Sequence, residues 1–260
     1  MSEQSYKVSP AGIKNSRRTL DLYEVYARVK RPLNLTELSR LLEAPMSSCH
    51  DLVRTLESGG YLYELRGKAF YPTRRMLHNV AAIADNDPVL SALHPELESL
   101  RDRTGESIIL GQQVDRQAMI LDVCESHHSV RYTAPAGAIR ELHSSSIGKA
   151  LLGAMTEAEL QAILPPEPFP SLTEKTITTY SQLAKELEVS RQRGWYSSFG
   201  ESVPELHAIS ANLIFAGCTF AISVAGPITR FVERLDSHIH ELSETIRRIQ
   251  TMNNVSETEA

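Results

Sequence analysis

The stretch LTELSRLLEAPMSSCHDLVRTLESGGYL, residues 35–62, decides the fold of the N-terminal third of the chain. Leu38, Leu41 and Leu42 form an apolar stripe, which predicts a short helix with Thr36 as its N-cap. A second helix is predicted directly after it, with a buried face made of Cys49, Leu52, Val53 and Leu56. Two short helices joined by a tight turn are typical of a helix-turn-helix.

The flanking segments extend this pattern in both directions. Residues 16–30 read SRRTLDLYEVYARVK and predict a preceding helix. Downstream, YLYEL and KAFYP are separated by Arg66-Gly67, which predicts a small β-hairpin with a glycine turn. Three helices followed by a hairpin is the order of a winged helix-turn-helix, and the third helix of such a module enters the major groove of DNA.

The outward side chains of this module are candidates for DNA contact. Hydroxyls on the third helix can donate to phosphates or base edges, and Arg54 can form a forked pair with guanine. The wing tip and the first helix would lie beside the phosphate backbone. The predicted DNA-binding residues are Arg17, Arg18, Thr36, Ser47, Ser48, His50, Arg54, Thr55 and Lys68. Asp51 shares the outward face, where a carboxylate repels phosphate but can accept from cytosine N4.

The distribution of charge supports a nucleic-acid partner for this part of the chain. Residues 1–78 carry 13 basic and 8 acidic side chains, a net charge of +5, whereas residues 79–260 carry 14 and 24, a net charge of −10. A basic surface attracts double-stranded DNA by releasing counterions. A three-helix protein-interaction module is the alternative, but element order, spacing and charge together favour DNA.

Composition predicts a cytoplasmic protein with an ordinary core. Apolar residues make up 42% and charged residues 23% of the chain, which excludes wholesale disorder, collagen and coiled-coil rods. Three cysteines are too few for a disulfide framework, and the polar N-terminus lacks the apolar core of a signal peptide. The span between His207 and Arg230 has no charge, but Ala216-Gly217 near its middle predicts two buried strands joined as a hairpin rather than a membrane helix.

The remainder of the chain predicts an α+β body. TRRMLHNVAAI, residues 73–83, is helical in pattern and would link the domains, and another helix follows to about Thr104-Gly105. Three strands are then predicted over SIILGQQV, QAMILDVC and SVRYTA, and later helices over SSSIGKALLGAM and YSQLAKELEVSRQRG. WYSSF, LHAISANLIF and CTFAISVAG would be the last strands, before a C-terminal helix through about Ile249. This order favours a mainly antiparallel sheet covered by helices.

Five segments in this order make the chain similar to the IclR family of bacterial transcriptional regulators: residues 35–62, GESIIL, LHSSSIGKALL, LTEKTITTYSQLAKELEVSRQRGW and AISVAGPITR. The resemblance implies a winged helix-turn-helix DNA-binding domain over 12–75, a linker helix over 76–88 and a GAF-like effector-binding domain over 89–252. The polar composition of residues 253–260 predicts a disordered tail. It also implies a homodimer or dimer of dimers on a palindromic operator, controlled by a small organic acid or aromatic metabolite. Repression is the commoner mode in such a family.

The resemblance also places an effector pocket. The family's pocket positions correspond here to Ser146, Ile147, Ser198, Leu206, Ala208, Ser223 and Ala225. Three of these depart from the family's more polar pattern, because Ser198 stands where Asp is frequent, Ala208 where several members have Cys, and Ala225 where many have Ser. The less polar pocket leads to the hypothesis of a larger or more apolar effector than a small oxoacid.

Other chemistry finds less support in the sequence, which predicts no catalytic residue, no cofactor and no metal. Ser146 and Lys149 match an S-x-x-K string, but the accompanying motifs of penicillin-binding enzymes are absent. Cys124, His127 and His128 could contribute to a zinc site, but no second cysteine completes a familiar spacing. Carboxylates such as that of Glu201 are expected to be solvated. A metal-sensing regulator, or an enzyme that uses the C-terminal body, remains the alternative to an effector-controlled regulator.

Overall fold

The computed structural model describes residues 14–258 and divides the chain into two compact units between Asp87 and Pro88. In the described part of the N-terminal unit, the helices are α1 (Lys14–Val29), α2 (Leu35–Leu41), α3 (Met46–Ser58) and α4 (Arg75–Ala84). The strands are β1 (Leu33–Asn34), β2 (Leu62–Leu65) and β3 (Ala69–Pro72), which form an antiparallel sheet in the order β1-β3-β2. The predicted domain start at residue 12 lies outside the described residues, and the predicted domain boundaries remain predictions.

The N-terminal unit is a winged helix-turn-helix with a small apolar core. Leu22 and Val25 of α1 pack with Val53 of α3 and with Phe70 of β3. The phenol of Tyr26 donates to the Phe70 carbonyl at 2.9 Å, which ties α1 to the wing. The predicted buried face of α3 is confirmed for Cys49, Val53 and Leu56, and Leu52 is half-buried.

The cap of α2 differs from the prediction. Asn34, not Thr36, is the N-cap: its side chain accepts from the Glu37 amide at 2.9 Å, and the Glu37 carboxylate accepts from the Asn34 amide at 3.0 Å. This reciprocal pair is a capping box, and it satisfies two amides that a lone hydroxyl at Thr36 could not. Thr36 therefore lies in the first turn of α2, where it is exposed.

The C-terminal unit is a six-stranded antiparallel sheet with the strand order β6-β5-β4-β9-β8-β7. Its strands are β4 (Ser107–Val114), β5 (Gln117–Cys124), β6 (Ile139–Glu141), β7 (Tyr196–Phe199), β8 (Leu206–Phe215) and β9 (Cys218–Pro227). Its helices are α5 (Pro88–Thr104), α6 (Ser146–Gly153), α7 (Glu157–Ile163), α8 (Tyr180–Arg193), α9 (Ile228–Phe231) and α10 (Leu235–Thr258). Residues from α6 and α8 cover one face of the sheet, and residues from α5 and α10 cover the other.

The uncharged segment between His207 and Arg230 forms the β8–β9 hairpin, as predicted. The two strands pair from Leu206↔Pro227 to Phe215↔Cys218 and turn at Ala216 and Gly217, both of which have positive φ angles. Within residues 14–258 no helix is both long enough and apolar enough to cross a membrane.

The structure corrects two predictions for the C-terminal unit and adds a helix that was not predicted. Residues 129–134 (SVRYTA) are not a strand, because side chains bind their carbonyls: Ser107 donates to the Tyr132 carbonyl and Arg230 to the Val130 carbonyl. Helix α7 was not predicted, although Thr156 and Glu159 form a capping box at its start. Residues 253–258 belong to α10 rather than to a disordered tail, and residues 259–260 lie outside the described residues.

A β-bulge in β5 changes which face its side chains occupy. Leu110 pairs with Asp122 but Gly111 pairs with Ile120, so Leu121 is the extra residue. Ile120 consequently packs on the α6 side of the sheet, whereas Cys124 packs on the α5 side. A bulge of this kind re-aims side chains that strict alternation would keep on one face.

Candidate functional site

Helix α3 presents a polar face to solvent. Ser47, His50, Asp51 and Arg54 are all exposed, as the helical periodicity predicted. The Arg54 guanidinium lies 3.5 Å from the Glu57 carboxylate, and its side chain is 67% exposed, so this weak contact leaves it able to reach a partner. Pro45 occupies the N-cap position and offers no side-chain acceptor, so the first-turn amides of α3 can donate to a phosphate oxygen.

A groove of about 380 Å³ runs between α1 and α3. It brings together three of the predicted DNA-binding residues, Arg18, Ser48 and Thr55. The Thr55 hydroxyl donates to the Asp51 carbonyl at 2.8 Å, so it is engaged within its own helix. Arg17 lies on α1 and approaches Asp21 at 3.9 Å.

The wing tip carries Gly67 and Lys68 in the left-handed region, with φ angles of +86° and +58°. Gly67 adopts this conformation without strain, which explains its place between the two strands. Lys68 is exposed beside it, so the wing ends on a cation. The predicted DNA-binding residues thus share one unit and are solvent-accessible, except that Thr36 lies on α2 rather than on α3 or the wing.

The C-terminal unit contains a cavity of about 30 Å³ between the sheet and α6. The lining includes six of the seven predicted pocket residues: Ser146, Ile147, Leu206, Ala208, Ser223 and Ala225. It also includes six others: Ile109, Ile120, Tyr132, Arg140, Ser145 and Ser202. The predicted Ser198 is not part of this lining; its hydroxyl is buried and donates to the Ser144 carbonyl at 2.7 Å.

Buried hydroxyls form a chain at one wall of this cavity. Ser210 donates to the Ser146 hydroxyl at 2.8 Å, and the hydroxyls of Ser146 and Ser223 lie 3.2 Å apart. Ser223 donates in turn to the Ile209 carbonyl at 3.1 Å. Each of these three hydroxyls donates its proton to a neighbouring oxygen but keeps lone pairs that can accept a hydrogen bond. The wall therefore offers acceptors to a ligand more readily than donors.

Arg140 supplies the cation of the cavity, and sequence reasoning missed it. Its Nη2 and Nε donate to the Tyr132 hydroxyl at 2.8 and 3.1 Å, and its Nη1 donates to the Ile139 carbonyl. None of the ion pairs formed among residues 14–258 includes Arg140. A guanidinium held by neutral acceptors at a partly buried wall can still pair with a carboxylate.

A buried ion pair lies below the start of α6. Lys149 is 1% exposed, and its ammonium donates to both carboxylate oxygens of Glu201, at 2.6 and 2.8 Å, and to the Ser197 carbonyl at 2.9 Å. Burial raises the pKa of the Glu201 carboxyl above its ordinary value, and the Lys149 ammonium opposes this shift. The expectation that Glu201 is solvated was therefore wrong, because the S-x-x-K lysine holds it inside the unit.

The histidines considered for zinc do not come together with Cys124. His127 is exposed and its Nε2 lies 3.5 Å from Asp102, and His128 is exposed in the same loop. A further histidine, His143, is buried and donates to the Pro170 carbonyl. Burial lowers the pKa of His143 below its ordinary value. Within the described residues, the group of three potential ligands is instead His94, Asp122 and Cys124.

Two family models match the chain. The model of the IclR helix-turn-helix domain matches residues 17–66, and the model of the bacterial transcriptional regulator IclR C-terminal domain matches residues 81–251. The chain belongs to the IclR family. This IclR-family protein is a DNA-binding transcriptional regulator, with an N-terminal winged helix-turn-helix domain and a C-terminal effector-binding domain.

Curated relatives and solved structures agree with this assignment. The protein is 27% identical to the transcriptional repressor IclR of Escherichia coli (strain K12), over 85% of this chain and 82% of that one. It is also 27% identical to the HTH-type transcriptional repressor AllR of the same strain, over 95% and 93%. The fold matches a putative transcriptional regulator from Rhodococcus sp. RHA1, with a TM-score of 0.78 at 20% identity, over 94% and 100%.

One structural relative contains a ligand. An IclR homolog from Microbacterium hydrocarbonoxydans, complexed with 4-hydroxybenzoate, has a TM-score of 0.75 and 19% identity, and the match covers 93% of this chain and 99% of that one.

Proposed function

We propose that this regulator represses transcription and that an aromatic carboxylate bound in the cavity of the C-terminal unit controls its operator affinity. Repression is supported by the curated relatives, which are named as repressors. The observation that carries the effector assignment is Arg140, a cation that no carboxylate within residues 14–258 neutralises, at the edge of an otherwise mostly apolar cavity.

The lining favours an aromatic acid over a small oxoacid. Ile109, Ile120, Ile147, Leu206, Ala208 and Ala225 provide apolar surface on which a ring can lie. Arg140 would pair with the carboxylate, and the buried serines would accept from a ring hydroxyl. The cavity of about 30 Å³ is far smaller than the several hundred cubic ångströms of a typical ligand site, so binding requires the walls to open. A ligand that binds only the open cavity would shift the protein toward that conformation, and this shift would be the way in which it changes operator affinity.

Calorimetry tests the effector class directly. We expect 4-hydroxybenzoate to bind the parent protein, and we expect Arg140→Met to weaken that binding by about 1.5 to 3 kcal/mol, because one charge-assisted contact is lost. The parent should bind pyruvate and glyoxylate much more weakly than the aromatic acid. An exposed arginine on α10, Arg247, gives the control, because Arg247→Ala leaves the cavity intact. Tight binding of glyoxylate or pyruvate without binding of aromatic acids would overturn the proposal.

For the DNA contacts, we propose that α3 enters the major groove while the wing and α1 lie along the phosphate backbone. Ser47, Ser48, His50 and Arg54 would face bases or phosphates from α3, and Lys68, Arg17 and Arg18 would bind phosphates. Thr55 is bonded within its own helix, and Thr36 sits on α2, so we expect both to contribute less than Arg54. The exposed polar face of α3 supports this arrangement.

Replacing Arg54 is the informative test of base recognition. We expect Arg54→Ala to weaken operator binding by about 1 to 3 kcal/mol, roughly 5- to 150-fold, because a forked pair with guanine is lost. Binding to unrelated DNA should weaken less, since a base contact carries sequence preference and a phosphate contact does not. Titrations at fixed salt measure both, with Arg247→Ala as the matched control. Equal losses on both DNAs would assign Arg54 to phosphate, and unchanged binding would remove it from the interface.

We further propose that the protein binds a palindromic operator as a homodimer. We also propose that it acts in the cytoplasm and has no enzymatic activity. Helix α4 supports the dimer, because Leu77, Val80 and Ile83 are exposed at 66%, 51% and 71% on one side of a helix in which no residue is buried. Such a stripe is typical of a helix that packs against a partner. Sedimentation at the concentrations used for DNA binding measures the oligomeric state, including a dimer of dimers.

A further inference from the structure

A second cluster of polar side chains lies on the face of the sheet opposite the cavity. His94 is on α5, and Asp122 and Cys124 are on β5. The His94 Nδ1 lies 2.6 Å from Asp122 Oδ2 and 3.9 Å from Cys124 Sγ, and one potential ligand atom from each residue lies within 4.8 Å of the other two. The cluster therefore joins a nitrogen, an oxygen and a sulfur from two separate elements of the fold.

The β-bulge at Leu121 creates this juxtaposition. If β5 kept strict alternation through Leu121 instead of bulging there, Asp122 and Cys124 would follow Ala118 and Ile120 onto the α6 side of the sheet. With it, both face α5, and β5 presents a carboxylate and a thiol two residues apart to His94. Bulges are common beside functional sites because they place a side chain where regular pleating cannot.

The arrangement suits a zinc ion in both chemistry and dimensions. Zinc takes thiolate, imidazole and carboxylate ligands, at about 2.3 Å from sulfur and about 2.0 to 2.2 Å from nitrogen and oxygen. Tetrahedral angles then separate the nitrogen from the sulfur by about 3.6 Å and from the oxygen by about 3.4 Å. The observed separations are 3.9 and 2.6 Å, so shifts below about 1 Å would complete the geometry.

An ion can reach the cluster from solvent, and the surrounding structure holds the potential ligands in place. The His94 side chain is 45% exposed, which gives an ion a path from solvent and leaves room for a water molecule as fourth ligand. Asp122 Oδ1 accepts from the Val123 amide at 2.8 Å, which fixes the carboxylate and leaves Oδ2 for the ion. Cys124 is 3% exposed, so its thiol is held in place by packing.

We propose that His94, Asp122 and Cys124 form a zinc site that clamps α5, the first helix of the C-terminal unit, to strand β5. Zinc takes cysteine as the thiolate, so binding would release the proton of the Cys124 thiol. The site is distinct from the effector cavity, which lies across the sheet.

Cobalt(II) is the spectroscopic probe for this site, because a thiolate ligand gives it a charge-transfer band that nitrogen and oxygen ligands do not. We expect titration of the purified full chain to produce this band at one ion per chain, and added zinc to abolish it. His94→Gln alters the most exposed ligand, so it should leave the fold intact while weakening binding at least about tenfold. Cys124→Ser should remove the band.

Two control variants separate this site from adventitious binding. Cys218→Ser removes the exposed cysteine, and His127→Gln removes an exposed histidine that the structure keeps out of the cluster. Both should bind cobalt and zinc like the parent, in optical titration and in equilibrium dialysis. Absence of a thiolate band in the parent would overturn the proposal, and so would a band that Cys218→Ser removes or that His94→Gln leaves at full affinity.

Discussion

Replacing Glu201 by glutamine is expected to lower the free energy of unfolding of the C-terminal unit by about 3 to 5 kcal/mol, which corresponds to roughly 10 °C in melting temperature. The reason is the Lys149 ammonium, which is buried and donates to both oxygens of the Glu201 carboxylate. Glutamine keeps the shape but leaves an uncompensated charge inside the unit. Breaking a buried pair from one side is costly, even where the intact pair adds little net stability.

The measurement has a convenient reporter. Trp195 is the only tryptophan of the chain and lies directly before β7, so its fluorescence in urea follows the unit that contains the pair. The exposed pair of Arg247 and Glu244 provides the matched control, since Glu244→Gln should change stability by less than about 1 kcal/mol. Glu201→Gln unfolding within about 1 kcal/mol of the parent would contradict the prediction.

A double variant separates the charge from the packing. Lys149→Met combined with Glu201→Gln removes the ammonium together with its carboxylate, so no net buried charge remains. We expect this variant to lose less stability than the sum of the two single changes, because each single change leaves an unpaired partner. Simple additivity would show that the pair contributes packing rather than electrostatics.

The buried pair also shows what the sequence could not reveal. Lys149 lies in a helix that is otherwise apolar or small, SIGKALLG, and a lysine in such a setting signals a buried partner. The identity of that partner depends on the tertiary fold, since Glu201 is 52 residues away along the chain. The prediction of a solvated Glu201 failed for this reason.

Predictions from local sequence patterns were correct where a single helix or hairpin determines the structure. The exposed face of α3 and the hairpin around Gly67 follow from periodicity and turn chemistry within a few residues. The antiparallel sheet and the β8–β9 hairpin follow likewise from strand composition and the turn at Ala216-Gly217. The N-cap of α2 was misplaced because Thr36 and Asn34 both fit an N-cap, and only the capping box with Glu37 separates them.

The cavity was predicted in part, and its missing members share a cause. Tyr132 belongs to a segment that was predicted as a strand but is irregular, and Arg140 lies in β6, a strand of three residues that was not predicted. Their contact through the Tyr132 hydroxyl depends on how the segment between β5 and β6 folds, which no local pattern specifies. The bulge at Leu121 escaped prediction similarly, because it depends on the pairing of β4 with β5.

Filling the cavity is expected to abolish effector control while DNA binding persists. Ala225 of β9 lines the cavity and is 1% exposed. In Ala225→Leu, three added carbons occupy a cavity of only about 30 Å³, so the site loses the room into which a ring would enter. We expect the effect of 4-hydroxybenzoate on operator affinity to disappear, with ligand-free affinity kept within about twofold, because a ligand shifts an equilibrium only through its differential affinity for the two states.

The opposite face of the sheet supplies the control for this substitution. Ala211 of β8 is also buried, at 6% exposure, but it packs on the α5 and α10 side. Ala211→Leu overpacks the core to a similar degree, at a cost of about 1 to 3 kcal/mol, without entering the cavity. Operator titrations with and without the acid should therefore show a retained response in Ala211→Leu and none in Ala225→Leu. If Ala225→Leu still responds to the acid, the effector binds elsewhere in the unit; if Ala211→Leu is equally unresponsive, overpacking alone accounts for the loss.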